Sequence, residues 1–342
     1  MLLVTDPTQA PGDLIDAGWQ ALEAGDLDHA ANACDAALAR LPESVEAMSL
    51  KAAIAFSRGE MDASMQICRR AMEMDPDDPR PYIQAAELEL YSANDAAAIE
   101  FAKNAVDRAS NEADFVDAVL IKVAAELGAE LDDDARRSLS EIEACVLEEP
   151  PLLYRLGELW LEVGEAARAE RAFSSCIHQE ADSADAHHGL GLAYESLGDR
   201  DGMLKAWRKV RELDTTAPLP EWHMSPSEFE AVALAALAEL PDSITERLAN
   251  VPILVAEVPD EALVREGSDP RLLGLFSGVP LPEKSSLQAT VSLDTIHLFQ
   301  HNLERAVGSR EELEDEIRMT LVHETAHFFG LDDEELDALG LG

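Results

Sequence analysis

The chain has 342 residues, too many for one small core, and 47 % of them are hydrophobic, which excludes wholesale disorder. Its 69 acids against 26 bases leave a formal net charge of −43. A surface of that sign repels phosphate backbones and anionic lipid, so neither nucleic acid nor membrane is an expected partner.

The acid excess is not a tail, since residues 225–342 alone carry 24 acids and 7 bases. No run reaches the roughly 18 uncharged apolar residues that a membrane span needs. The opening MLLVTDPTQAPGD has neither the basic start nor the apolar core of a signal peptide, and a cytoplasmic location is expected. Cys34, Cys68, Cys145 and Cys176 form no C-x-x-C pair and are expected to be small buried hydrophobes.

The first two thirds repeat. Gly25, Gly59, Ala93, Gly128, Gly164 and Gly198 follow one another at steps of 34, 34, 35, 36 and 34 residues. Cys34 recurs as Cys68, Ala37 as Ala71 and Ala105, and Pro42 as Pro76. Each unit reads as two short helices. The first ends at the glycine, where a backbone without Cβ turns most easily. The second starts at the acidic residues that follow and carries small residues for close packing. Pro42, Pro76 and Pro150 fall at unit ends, where they interrupt no helix.

This period and helix–turn–helix unit resemble the tetratricopeptide repeat. Segments such as LLYRLGELWLEVGEAARAERAF and HHGLGLAYESLGDRDGMLKAW carry the likeness, over about six units between residues 10 and 214. The resemblance implies a solenoid whose groove binds a protein or peptide. The shortage of bases argues against grooves that clamp acidic peptides, and favours a basic or apolar partner.

The phase of the repeat ends in ELDTTAPLPEWHMSP, where Pro218, Pro220 and Pro226 break any helix, and 215–225 reads as a linker. A fresh helix begins at Ser225-Pro226-Ser227-Glu228, an N-cap followed by a capping-box Glu, and stops at Pro241. PILVAEV (252–258) reads as a strand. LLGLFSGVPL (272–281) reads as part strand and part loop, and ATVSLDTIHLF (289–299) as one or two further strands. The last helix runs from a capping box at Ser309–Glu312 to a C-terminal Gly330, with Leu313, Ile317, Thr320 and Leu321 on one face. The expected whole is multidomain: an all-α solenoid over 10–214, then a small α+β domain over 226–342.

That last helix carries His323-Glu324-Thr325-Ala326-His327, an H-E-x-x-H motif. Residues i and i+4 stack on one helix face, so two imidazoles can converge on one ion, and neutral imidazole suits Zn²⁺. Glu324 then stands beside the metal, placed to move a proton between a metal-bound water and a leaving amine. A third ligand is needed. The spacing His327-x-x-Gly330-x-x-Asp333 favours Asp333, with Asp332 as the alternative.

LLGLFSGVPL, TIHLFQ and TLVHETAHFFGLDDEELDALG, in that order, resemble the small zincin-like metallopeptidases of bacteria, over about 226–342. The resemblance implies His323, His327 and Asp333 as zinc ligands and Glu324 as catalytic base. Only nine residues follow Asp333, and none is Met, so the Met-turn of larger zincins is missing. A group to stabilise transition-state charge must come from upstream, with His297, His301, Arg305, Arg310 and Arg318 as candidates. The remaining histidines, His29, His178, His187, His188 and His223, receive no role. The expected function is zinc-dependent peptide-bond hydrolysis, with the repeats recruiting a partner or substrate. The alternative is a repeat-based scaffold with a structural or inactive zinc site.

Overall fold

The computed structural model describes residues 9–145, 147–279, 281 and 294–331. The chain divides into two compact units, Met1–Ala172 and Phe173–Gly342.

The first unit is built from antiparallel helix pairs: α1 (Pro11–Glu23) with α2 (Leu27–Arg40), α3 (Val45–Ser57) with α4 (Met61–Met74), α5 (Arg80–Tyr91) with α6 (Asp95–Arg108), and α7 (Glu112–Gly128) with α8 (Asp132–Glu141). α9 (Pro150–Glu162) follows, and α10 (Ala166–Gln179) crosses into the second unit. Gly25, Gly59 and Gly164 have φ of 75°, 76° and 77°, the left-handed turn that only glycine adopts without a Cβ penalty. The third and fourth turns dispense with it: Ala93 (φ 53°) and Glu130 (φ 58°) take that conformation. At the fourth turn the expected glycine, Gly128, is still helical, and the turn comes two residues later. A Cβ on Gly128 would instead meet the Asp95 carboxylate at 2.7 Å. The seams between helices are made of small residues: Ala30, Ala37, Ala71, Ala98 and Ala105 are all buried.

In the second unit, α11 (Ala184–Leu197) and α12 (Arg200–Thr216) form the sixth pair, joined at Gly198 (φ 72°). Trp207 of α12 lies against Gly191 of α11, and a Cβ there would come within 2.0 Å of the indole. Residues 217–225 lead to α13 (Pro226–Glu239) and contribute one core side chain, Met224, fully buried among Phe229, Leu298 and Ile317. The Ser225–Glu228 capping box forms: Glu228 N–H donates to Ser225 Oγ and Ser225 N–H to Glu228 Oε2.

Then come α14 (Asp242–Leu248), β1 (Ile253–Ala256), α15 (Glu261–Glu266), β2 (Gly274–Ser277), β3 (Thr295–Phe299), α16 (Gln300–Ala306) and α17 (Arg310–Phe329). The sheet has order β1-β3-β2, with β1 parallel and β2 antiparallel to the central β3. Each strand lies inside a segment expected from sequence; residues 289–293 of the third segment are outside the described residues.

Ile253, Ile296 and Phe276 are in register and share one face of the sheet. That face packs on α13 and α17 through Ala236, Leu321 and Phe328, while Leu298 meets Leu313 and Ile317. Burying each such side chain contributes about 1.5–3 kcal/mol, and this apolar contact fixes α17 against the sheet. Among the described residues no helix is long and apolar enough to cross a membrane.

Polar contacts join α11 and α12 to the segment that enters β2. Arg271 donates to the buried Asp214 of α12 at 3.0 Å and pairs with Asp185 of α11 at 2.7 Å. His188 of α11 meets Asp269 at 2.9 Å, and Arg305 of α16 donates to the Asp214 carbonyl. Between 217–225 and α16, His223 Nδ1 donates to the buried Glu304 at 2.8 Å, and the Met224 N–H and Gln300 Nε2 do so at 3.2 and 2.8 Å. Buried charges persist only when so partnered.

Candidate metal centre

The site sits in the last two turns of α17. Ser309 Oγ accepts the Glu312 N–H at 3.3 Å and caps the helix start. Glu312 reaches back to the N–H of Gly308 at 2.8 Å, one residue earlier than a full capping box requires. At the other end Gly330 (φ 90°) closes the helix.

One helical turn apart, His323 Nε2 and His327 Nε2 are 3.0 Å from each other, with ring planes at 82°. Two nitrogens that ligate one zinc at about 2.0–2.1 Å are separated by roughly 3.3 Å in tetrahedral geometry. The pair therefore converges as a ligand pair does. His327 Nδ1 lies 3.0 Å from the Leu331 carbonyl, which can only accept, so Nδ1 carries the proton. Its neutral tautomer then turns the Nε2 lone pair toward His323, as a second partner of a metal-binding histidine does. Among the described residues no cluster of three His, Cys, Asp or Glu side chains is placed to hold a metal. Asp333 and its alternative Asp332 lie outside the described residues.

Glu324 is only 6 % exposed, on the flank of α17 that faces β2. Its Oε2 accepts the Phe276 N–H at 2.5 Å. In the antiparallel register Leu275 faces His297, and the Phe276 N–H lies on the free edge of β2. Gly274 makes this approach possible: a Cβ there would stand 2.7 Å from Thr320 Cγ2, 2.8 Å from Glu324 Cγ and 2.9 Å from Glu324 Oε1. Beside the pair a cavity of about 270 Å³ opens against Leu272, Leu273 and Met319, with His323 and Glu324 in its wall.

Comparison with known families agrees with this layout. Residues 15–79 match the tetratricopeptide repeat, and residues 248–342 match the zincin-like metallopeptidase family. The chain carries tetratricopeptide repeats and a C-terminal zincin-like metallopeptidase domain. Solved structures similar to it include Pseudomonas aeruginosa pilF (14 % identity, TM-score 0.49, covering 60 % of this chain and 93 % of that one). PilW, a type IV pilus biogenesis factor, is similar at 15 % identity and TM-score 0.49, covering 62 % of this chain and 96 % of its own. YrrB, a repeat protein with an unusual peptide-binding site, is similar at 16 % and 0.42, covering 54 % and 93 %. No curated protein matches the chain.

In the zincin-like domain the sequence candidates for charge stabilisation lie elsewhere. His297 shares a sheet face with Leu254 and Leu275, opposite the face that packs on α17; burial lowers its pKa. His301 stands edge-on to His223, and burial lowers its pKa too. Arg305 is held by Asp214, Arg310 by Glu228, and Arg318 by Glu239 and Asp315. Among the described residues none of the five lines the cavity. Gly274 and the Phe276 N–H, which hold Glu324, went unread because a backbone donor leaves no mark in a sequence. The one available signal was the glycine opening GLFS.

Proposed function

We propose that the C-terminal domain is a zinc-dependent metallopeptidase, that Glu324 is its general base, and that the repeats recruit a protein partner or substrate. The observation that carries this is the 3.0 Å convergence of His323 Nε2 and His327 Nε2, with Glu324 fixed one residue after the first of them. His323, His327 and Asp333 would hold the ion. When bound, zinc would activate a water toward pKa 7 and polarise the scissile carbonyl. Glu324 takes one proton from the attacking water and gives it to the amine nitrogen as the C–N bond breaks. The Phe276 N–H keeps that carboxylate in one orientation, so little reorganisation is needed in the transition state. The cysteines are free thiols, and burial pushes those of Cys34 and Cys68 up to about 11 and about 12, so they act as inert core side chains; free thiols are in keeping with a reducing, cytoplasmic setting.

The test is Glu324→Gln beside His323→Ala in the full chain. Glu324→Gln keeps the side chain's length and removes the base. It should leave zinc affinity nearly unchanged and lower hydrolysis of unfolded proteins and peptides by at least ~10²-fold. His323→Ala should lose metal and activity together. Equal rates for zinc-loaded wild type and Glu324→Gln across such a panel would leave the scaffold reading in its place.

A further inference from the structure

The cavity beside the histidines holds a carboxylate that the chemistry above does not use. Glu316 lines it, half-buried, and has no cationic partner among the described residues. Its neighbours behave differently: Asp315 pairs with Arg318, and Glu314 and Glu312 pair with Arg310 and the Gly308 N–H. Between Glu316 and the histidines the wall is mostly apolar, made by Leu272, Leu273 and Met319 beside Gly274 and Thr320, and Met319 is 57 % exposed. Met319 thus gives the cavity an open apolar rim.

We propose that this cavity takes the side chain of a lysine or arginine next to the bond to be cleaved, and that Glu316 selects it. Three observations fix the chemistry. Glu316 stands seven residues before His323 on the same helix face, about 10 Å along the axis. A side chain entering beside the histidines must therefore carry its charge at the end of a long stem. The stem would lie on Leu272, Leu273 and Met319, as the methylenes of Lys and Arg do on apolar surface. The head would meet an otherwise unpaired carboxylate, where an acidic side chain would meet repulsion. The net charge of −43 raises the local concentration of basic segments over acidic ones before contact is made.

This inference rests on the metallopeptidase reading only for what the bound side chain is attached to, so binding and cleavage are measured separately. Matched fluorescent peptides that differ at one position (Arg, Leu or Glu) are titrated into zinc-loaded, full-length Glu324→Gln protein. The Arg peptide should bind at least about tenfold tighter than the Glu peptide, with Leu between. Adding Glu316→Gln should bring the Arg and Glu peptides within about threefold of each other, and Glu316→Lys should reverse their order. Zinc affinity and circular dichroism, unchanged in both Glu316 variants, control for folding. The same peptides are then offered to the wild type. A Glu316-dependent preference without hydrolysis supports the subsite and overturns the peptidase reading. Binding that is indifferent to Glu316 overturns the subsite, and hydrolysis of the same peptides at rates indifferent to Glu316 overturns it while leaving the peptidase reading standing.

Discussion

The repeat helices and the zincin-like domain are held by different kinds of contact. In the helix pairs the recurring interaction is a small residue buried against the neighbouring helix, such as Ala37 or Ala71, and Cys34 Sγ donating to the Ala47 carbonyl 13 residues away. Where the last repeat pair and 217–225 meet the zincin-like domain, and within that domain, the decisive contacts are polar and distant in sequence: Glu324 with Phe276 across 48 residues, Arg271 with Asp214 across 57, His223 with Glu304 across 81. Local packing is repeated, so a single defect such as Ala93 in place of glycine is carried by the pairs on either side. Each of these polar contacts exists once and is not repeated by a neighbouring unit.

The broadest way to break this contrast is truncation. A chain of residues 166–342 loses α1–α9 yet keeps every distant contact of the second unit. A chain of 226–342 keeps all the motif residues but loses Met224 from the core, strips His223 and the Met224 N–H from the buried Glu304, and removes Asp214 from Arg271 and Arg305. Loss of a core side chain and of partners for a buried charge each cost several kcal/mol. Urea unfolding should therefore show the shorter piece less stable by at least ~3 kcal/mol. Equal midpoints would mean that α11 and α12 are mere neighbours of the domain.

A single methyl group tests the same contrast at the site. Gly274→Ala places a Cβ under 3.0 Å from Thr320 and Glu324, neither of which can retreat from a packed helix. Overpacking of this kind costs about 1–3 kcal/mol. Glu324 should be displaced from the Phe276 N–H, which would show as faster hydrogen exchange of that edge-strand amide. Zinc affinity should change little, because the added methyl meets Thr320 and Glu324 and neither histidine, while hydrolysis should fall at least about tenfold. Thr320→Ser in the same chain removes one of the clashing atoms and should recover part of the stability. An unaltered Phe276 amide in Gly274→Ala would count against the clamp.

Legibility in the sequence follows the same line. The 34-residue spacing predicts about six helix pairs, and six are present, α1–α2 through α11–α12. It misplaces only the fourth turn, where Glu130 rather than Gly128 is left-handed, because a glycine required for close approach to Asp95 mimics a turn glycine. The H-E-x-x-H motif, the capped helix and the three strand segments are legible because each is a pattern within a few residues. The support is not. Nothing near Arg271 in the sequence names Asp214, and nothing in TIHLF says that His297 faces away from α17, since the face of a strand is set by register against partners far off in the chain.

The smallest expected effect concerns acid. Burial alone would raise the pKa of Asp269, but the His188 ring at 2.9 Å, the Arg271 N–H at 2.7 Å and the Arg271 charge together hold it below its ordinary 3.8. A carboxylate whose pKa is lowered by folding contributes stability when ionised in both states, above 3.8, and loses it as pH falls through the lowered folded-state value. Acidification also discharges the 69 acids of the chain and relaxes their mutual repulsion, so the midpoint of wild type alone says little. The difference between wild type and Asp269→Asn removes that background, because both chains share every other acid. Wild type should be the more stable at about pH 5.5, by an amount that shrinks as pH falls through the lowered folded-state value, below which the protonated Asp269 resembles the amide. A gap that stays constant or widens on acidification would show that the Asp269–His188 contact acts through its shape and not its charge. In that case the tie between α11 and the segment entering β2 would rest on Arg271, which remains charged throughout this range.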